Sequence, residues 1–177
     1  MSNLISIRPI TPDDADWVFE SCQDPEIQKW TQIPRPYTHH HAVDFAQTLA
    51  GDLEVWVIEN SATQQSLGLI GIHSINPITR VADIGYWMSR EGRGQGAMKK
   101  GLELLLAKLA DNPDVAFVEA TIAETNLASR RTAESVGFTL VGAAERSCNC
   151  GGEDVSAVLY RFVLKASRLQ NLFQDQR

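Results

Sequence analysis

The sequence predicts a single α+β domain, in which a mixed sheet of about seven strands is flanked by helices. Its 177 residues suffice for one domain with a hydrophobic core. Apolar residues alternate with polar ones in several short segments and recur with helical spacing in others. In chain order the segments give β-α-α-β-β-β-α-β-α-β-β. Because the connections in the middle of the chain are short, we expect a mostly antiparallel sheet.

The first part of the chain predicts one strand and two helices. The segment LISIRPI alternates apolar and polar residues up to a turn at Pro9. Thr11 and Pro12, followed by acidic residues, are typical of a helix start. A second helix is expected to begin at Thr38 and to end at Gly51. The proline-rich segment WTQIPRPYT between the helices predicts a loop.

The middle of the chain predicts an antiparallel meander followed by a helix. EVWVIEN, LGLIGIHSIN and RVADIGYWM are three strands separated by turn residues. From Gly94 to Ala110 the apolar spacing becomes helical. The residues expected on the buried side of this helix are Met98, Leu102, Leu105, Leu106 and Leu109.

The last part predicts three strands and a short helix. VAFVEATI, FTLVG and VSAVLYRFVL are the strands, and NLASRRTAESVG is a helix that ends at Gly137. We therefore expect one domain over residues 1–165 and a polar tail over residues 166–177.

Composition narrows the possible functions. The formal net charge is -6, which argues against a nucleic-acid partner. The N-terminus lacks the features of a signal peptide, and no apolar run approaches the roughly 20 residues that span a bilayer. Cysteine is sparse and odd in number, with 3 residues, as expected in the reducing cytoplasm. The sequence therefore predicts a cytoplasmic protein without nucleic-acid or membrane partners, as a monomer or homodimer.

No metal site is expected. Cys148 and Cys150 form a single C-x-C without a second pair, so they are interpreted as half-exposed loop thiols. His39, His40 and His41 are sequential, whereas metal ligands on a helix face would be spaced i and i+4. A solvated first helical turn is the better interpretation of the three histidines.

The segment EGRGQGAMKK, from Glu91 to Lys100, is the strongest chemical signal. It lies between a strand that ends near Met88 and the helix that begins near Gly94, where unpaired N–H groups and the helix dipole attract anions. Glycine removes the Cβ atoms that would hold a phosphate away. The basic residues around the loop are Arg90, Arg93, Lys99 and Lys100.

Two familiar phosphate motifs do not fit this loop. A P-loop requires Ser or Thr after the lysine, and neither follows Lys99 or Lys100. A dinucleotide fingerprint has G-x-G-x-x-G after a first strand, whereas Gly92, Gly94 and Gly96 follow the fourth predicted strand. Taken alone, the segment could also be a glycine-rich turn that only reverses the chain.

The loop and a second block together resemble the GNAT superfamily of acetyl-CoA-dependent N-acyltransferases, and more narrowly its RimJ/RimL type. Residues Glu91 to Gly96 match the pyrophosphate motif Q/R-x-x-G-x-G/A, with Glu91 as the departure. The second block is N-x-x-S from Asn126 to Ser129, followed by Gly137 and Phe138. The resemblance covers nearly the whole chain and implies the GNAT fold.

The resemblance implies an N-acetyltransferase that uses acetyl-CoA and a direct ternary-complex mechanism. The acceptor would be a primary amine, in first place the α-amine of a protein N-terminus. The pantetheine arm would lie between two splayed strands, beside a bulge at Tyr86, Trp87 and Met88. The cofactor-binding residues would be Trp87, Met88, Arg93, Gly94, Gln95, Gly96, Ala97, Asn126 and Arg130.

Three residues are candidates for acid-base chemistry. By resemblance, Ser129 would protonate the leaving thiolate, although a serine in a first helical turn can also be a plain surface residue. Glu145 or Asp83 would accept the proton of the amine. Either acid can equally be a solvated residue at a strand edge.

The acceptor side is expected in the loop between the first two helices. Trp30 and Tyr37 would bind the acceptor, or pack as a hydrophobic lid. Two other functions stay open from the sequence. One is acetylation of a small-molecule amine such as an antibiotic, polyamine or amino acid, and the other is a non-catalytic CoA-binding sensor.

Overall fold

The structure, a computed structural model, describes residues 4–48 and 54–164. The predicted helix end at Gly51 and the predicted tail over residues 166–177 lie outside the described residues. The strands are β1 (Ile5–Pro9), β2 (Val55–Asn60), β3 (Gln65–Asn76), β4 (Val81–Met88), β5 (Phe117–Ala123), β6 (Thr139–Ala143), β7 (Cys148–Cys150), β8 (Glu153–Val155) and β9 (Ala157–Val163). The helices are α1 (Ala15–Ser21), α2 (Pro25–Trp30), α3 (His39–Thr48), α4 (Ala97–Leu109) and α5 (Leu127–Val136).

The central sheet confirms the predicted mixed, mostly antiparallel arrangement. It has seven strands in the order β1-β2-β3-β4-β5-β9-β6. The β4–β5 pair is parallel, and the other neighbouring pairs are antiparallel. A parallel pair needs a crossover between its strands, and α4 supplies it. The ends of β4 and β5 therefore lie at the same side of the domain.

Helices cover both faces of the sheet and bury two hydrophobic clusters. On one face, α4 packs its apolar side against β3, β4 and β5, as the predicted helical spacing requires, and Ile70, Leu102 and Leu105 are almost fully buried. On the other face, α1, α2 and α3 enclose a second cluster around Val18 and Val57. Among the described helices, none is long and apolar enough to cross a membrane.

Local sequence signals located several helix ends correctly. Asn126 caps α5 by accepting the Ser129 N–H at 3.1 Å, and α5 ends at Gly137, whose φ is +105°. Thr38 precedes α3, which begins at His39. The helix predicted from Gly94 begins only at Ala97, because Gly94 and Gly96 have φ of +72° and +71°.

The sequence prediction missed two elements, a short helix before the predicted loop and a hairpin where loop thiols were expected. The segment from Pro25 to Trp30 is helix α2, whose N-cap Asp24 accepts the Glu26 N–H at 2.8 Å. The C-x-C segment is strand β7 instead of a loop, and it pairs with β8 through a turn at Gly151 and Gly152. The Asp-Pro and Gly-Gly pairs in the sequence are the signals for these two elements.

Candidate active site

A fork between β4 and β5 is the main feature of the candidate site. The two strands pair only where Val81–Asp83 meet Phe117–Glu119. Beyond that point β4 continues against β3, and β5 continues against β9. Among the described strands, none pairs with the edge of β4 that faces the fork from residue 84 to residue 88. The splayed strands predicted from the sequence are therefore present.

The predicted bulge lies elsewhere. The β3–β4 register is regular at Tyr86, Trp87 and Met88. The irregularity lies between Ile72 and Ser74, where His73 is the extra residue on β3. The placement of the bulge at residues 86–88 was therefore wrong. It lies on the neighbouring strand, opposite the closed end of the fork.

The glycine loop follows β4 at the open end of the fork. Gly92 is buried, and a Cβ atom there would lie 2.3 Å from Met88 Sδ and 2.6 Å from the Leu67 carbonyl oxygen. A Cβ atom at Gly94 or Gly96 would meet no heavy atom within 4 Å. The loop is therefore packed on one side and open on the other.

The first turn of α4 faces this open side of the loop. Lys100 N–H makes an α-helical bond to the Gly96 carbonyl at 3.1 Å. The N–H groups that precede it in the turn have no partner within the helix. They add their dipoles to an open, glycine-lined surface that suits an anion.

The side chains of the loop are held by the protein itself. Arg93 Nη1 lies 3.0 Å from Asp24 Oδ2, and its Nη2 donates to the Met88 carbonyl at 3.2 Å. Gln95 donates from its amide to the Glu91 carbonyl. Backbone groups are therefore the part of this loop that is presented to a ligand.

The side chains of Trp87 and Met88 serve packing. Trp87 stacks on Trp17 with ring centroids 5.4 Å apart, within the cluster under α1–α3. Met88 packs on the opposite face, beneath Gly92. At the unpaired edge of β4, both residues offer their backbone groups to the fork.

Ser129 and Tyr86 connect the two arms of the fork. Ser129 lies in the first turn of α5, after β5, and Tyr86 lies on β4. The Ser129 hydroxyl donates to the Tyr86 hydroxyl at 3.0 Å, and the Tyr86 hydroxyl donates to the Ser129 carbonyl at 3.0 Å. Burial raises the pKa of Tyr86 to about 12, so the phenol stays protonated. From the sequence, Tyr86 was expected only as a position of the bulge, and its side chain was missed.

Arg130 points its guanidinium toward the protein. Its Nε donates to the Tyr160 hydroxyl at 3.2 Å, and its Nη1 donates to the Glu124 carbonyl at 2.9 Å. Tyr160 in turn donates to Glu134 at 2.6 Å. This network ties α5 to β9 and to the chain that enters the helix, so Arg130 helps to place α5 beside the fork.

Asp83 lies at the closed end of the fork, opposite Glu119 of β5. Its Oδ2 atom lies 3.5 Å from Arg146 Nη2 and 3.7 Å from His73 Nδ1. Glu145 precedes Arg146 in the exposed connection between β6 and β7. The segment that contains Glu145 thus lies beside the side chain of Asp83, the other candidate base.

The predicted acceptor residues differ in exposure. Trp30 ends α2, is partly exposed, and donates from Nε1 to Glu26 at 3.2 Å. Its carbonyl lies 3.9 Å from Cys150 Sγ, so α2 contacts the β7–β8 hairpin. Tyr37 is only 7% exposed and packs in the cluster under α1–α3. Of the two, Trp30 is the one with surface to offer an acceptor.

A protein-family model described as "Acetyltransferase (GNAT) domain" matches residues 5–139. The chain belongs to the GNAT acetyltransferase family. Its mixed seven-stranded sheet, with the fork between β4 and β5, is the GNAT fold. Membership makes it an acyltransferase, and the resemblance inferred from the loop and the N-x-x-S block is confirmed.

Several named proteins and solved structures are similar to this GNAT chain. The Bacillus subtilis (strain 168) protein named "Putative ribosomal N-acetyltransferase YdaF" is 28% identical over 165 residues, covering 88% of this chain and 89% of that protein. A structure of RimL, the ribosomal L7/L12 alpha-N-protein acetyltransferase, in complex with coenzyme A has a TM-score of 0.82 at 21% identity and covers 94% and 97% of the two chains. Vibrio cholerae spermidine N-acetyltransferase with CoA and spermine gives 0.78 at 16% identity, over 92% and 97%. At such identities the structural likeness shows the fold.

Proposed function

We propose that this GNAT enzyme transfers an acetyl group from acetyl-CoA to the α-amine of a protein N-terminus, by direct attack in a ternary complex. The observation that carries the proposal is the fork between β4 and β5, with the glycine loop and Ser129 both at its open end. A thioester held along one arm would present its carbonyl between the strands. The relative named for ribosomal N-acetylation supports a protein acceptor.

The residues present fit the co-substrate. The unpaired edge of β4 can bond the pantetheine amides as an added strand would. The open loop from Arg93 to Ala97 can bind the pyrophosphate through backbone N–H groups, since Gly94 and Gly96 place no Cβ in its way. Acetyl-CoA supplies the activated acetyl group. The chain supplies orientation and proton transfer.

Ser129 is proposed to protonate the leaving thiolate. A thiol has an ordinary pKa near 8.5, so a nearby hydroxyl donor lowers the cost of its departure. In the structure the Ser129 proton points to Tyr86. Rotation of that hydroxyl toward the thiolate lets the protonated Tyr86 hydroxyl donate to Ser129 Oγ instead of to its carbonyl. Tyr86 thus stabilises Ser129 Oγ as its proton moves to the thiolate, and the proton released by the attacking amine replaces it through solvent, so that the net transfer runs from amine to thiol.

Asp83 is the proposed acceptor of the amine proton. It lies at the closed end of the fork and on the sheet face that carries Trp87 and the acceptor-side helices. An N-terminal amine has a pKa near 8, so about a tenth is neutral at pH 7 and only a modest base is needed. Glu145 is the alternative, because its neighbour Arg146 contacts Asp83.

Acetylation of defined amines tests the proposal. The purified protein is incubated with acetyl-CoA and one of three acceptors: a peptide with a free N-terminus, the same peptide blocked there but containing lysine, and spermidine. Thiol release and product mass are measured together. We expect one acetyl group on the free α-amine and little on the blocked peptide. If spermidine is acetylated and neither peptide is, the acceptor is a small-molecule amine and the proposal of a protein acceptor is wrong.

A further inference from the structure

Asp24 joins the glycine loop to the acceptor-side helix α2. Its Oδ1 atom caps α2 by accepting the Glu26 N–H at 2.8 Å. Its Oδ2 atom lies 3.0 Å from Arg93 Nη1 and 3.6 Å from Arg90 Nε. The side chain is only 9% exposed. One carboxylate thus contacts two segments that are far apart in the sequence.

The contact between Asp24 and the loop is ionic. Burial favours the neutral acid, but the Glu26 N–H and the charges of Arg93 and Arg90 outweigh it and lower the pKa of Asp24. The carboxylate is therefore ionised and pairs with both arginines of the loop, neutralising one of their two charges. Since its side chain is largely shielded from solvent, this pair is screened less than a surface ion pair.

Arg93 transmits this contact to the loop backbone. One end of its guanidinium faces Asp24 and the other donates to the Met88 carbonyl at 3.2 Å, where β4 ends. The next residues, Gly94 and Gly96, have positive φ and no side chain with which to anchor themselves. Apart from Gln95, whose amide donates to the Glu91 carbonyl, this open stretch is held in its conformation by its flanks.

We propose that Asp24 is a positioning residue for the cofactor loop, which it holds through Arg93 in the conformation that binds coenzyme A. The inference rests on the proposed function, since it assumes that the loop binds the pyrophosphate. Because Asp24 also caps α2, which ends at Trp30, it links the cofactor side of the enzyme to the acceptor side.

Removal of the Asp24 charge changes the affinity for coenzyme A in opposite directions under the two explanations, positioning and simple electrostatics. If Asp24 acted only as a nearby negative charge, its removal would free two arginines and strengthen the binding of the anionic cofactor. If it positions the loop, its removal weakens binding, because the loop must then be ordered at the expense of binding energy.

Asp24→Asn is the decisive variant, since asparagine caps a helix as well as aspartate does and therefore preserves α2. Coenzyme A binding is measured by calorimetry, together with kcat and the KM for acetyl-CoA. We expect Kd and KM to rise about three- to tenfold while kcat stays within about twofold. Binding as tight as that of the wild type, or tighter, would overturn the proposal.

Further variants serve as controls. Asp16→Asn removes a charge that pairs with His39 at an exposed position, and should leave Kd unchanged. Arg93→Gln should weaken binding as Asp24→Asn does, and the double variant should be no worse than either single one. Additive losses would mean that Arg93 acts on the ligand independently of Asp24, and would overturn the proposal. Absence of coenzyme A binding in the wild-type protein would overturn the proposed function itself.

Discussion

The hydroxyl groups of Tyr86 and Ser129 lie 3.0 Å apart and bridge the fork between β4 and β5. Each residue also fixes the other, because the phenol donates to the serine carbonyl. The pair places a proton donor on the open side of the sheet, next to the strand edge and the glycine loop. It connects the cofactor-binding elements to the chemistry proposed for them.

Tyr86→Phe should lower kcat about tenfold and leave the affinity for coenzyme A unchanged. The substitution removes the group that orients the Ser129 hydroxyl, and orientation contributes directly to rate. It should also cost about 2 kcal/mol of stability, since two hydrogen bonds are lost, the one that the phenol donates and the one that it accepts. Thiol release and thermal unfolding measure the two effects. A Tyr86→Phe/Ser129→Ala double variant that is slower than Ser129→Ala would show that the two hydroxyls act separately.

Gly94→Asp should abolish coenzyme A binding and preserve the fold. A side chain at Gly94 has open space around it, so the cost to the apo protein is the left-handed backbone, about 1 kcal/mol. A carboxylate there would repel and displace the pyrophosphate. Gly151→Asp introduces the same charge at a φ of +67° in the β7–β8 turn and is the control for strain. Normal affinity in Gly94→Asp would mean that the loop does not bind the cofactor.

Asp83→Asn should reduce kcat/KM at pH 7 by about tenfold or more relative to the wild type. Glu145→Gln should cause a smaller loss. The loss in Asp83→Asn should shrink above pH 8, where the α-amine deprotonates without help. Complete pH profiles of both variants with the same acceptor make the comparison. A large, pH-dependent loss in Glu145→Gln with a normal Asp83→Asn would assign the base to Glu145.

Asp14→Asn should destabilise the protein by about 2 kcal/mol, because the buried carboxylate accepts two hydrogen bonds from Arg8, at 2.7 and 2.8 Å. Burial favours the neutral acid, but the bonds from Arg8 and Thr11 outweigh it and lower the pKa of Asp14. The folded pKa lies below the unfolded value near 3.9, so this stability is present above about pH 4 and is lost as pH falls through the folded pKa.

Denaturant titrations at pH 7 and pH 3 measure this effect. The gap between wild type and Asp14→Asn should narrow at the lower pH. Asp16→Asn, at an exposed position of α1, should be neutral at both. A gap that is constant with pH would exclude the Asp14 charge as its cause.

What could be predicted from the sequence was set by local interactions. The cap at Asn126 and the helix end at Gly137 depend on neighbouring residues, and both were located correctly. The glycine loop was recognised because its spacing is local as well. Helix α2 was missed, although Asp24 and Pro25 are a cap and a first-turn proline, because its 6 residues are too few to show a helical spacing of apolar residues.

The remainder depended on contacts between distant parts of the chain. The Tyr86 side chain acquires its role from Ser129 on a different element, and Arg93 acquires its partner from Asp24. The spacing of residues in the sequence does not indicate such pairs. The bulge at His73 likewise depends on the register between β3 and β4. A one-residue shift changes that register without any change in composition.

The most direct test of the proposed active site is the turnover of Ser129→Ala, measured as thiol release at saturating acetyl-CoA and acceptor. Ser135→Ala, on the exposed side of the same helix, is the matched control. We predict that Ser129→Ala binds coenzyme A with wild-type affinity but turns over about a hundredfold more slowly. Wild-type turnover in Ser129→Ala would contradict the proposed site.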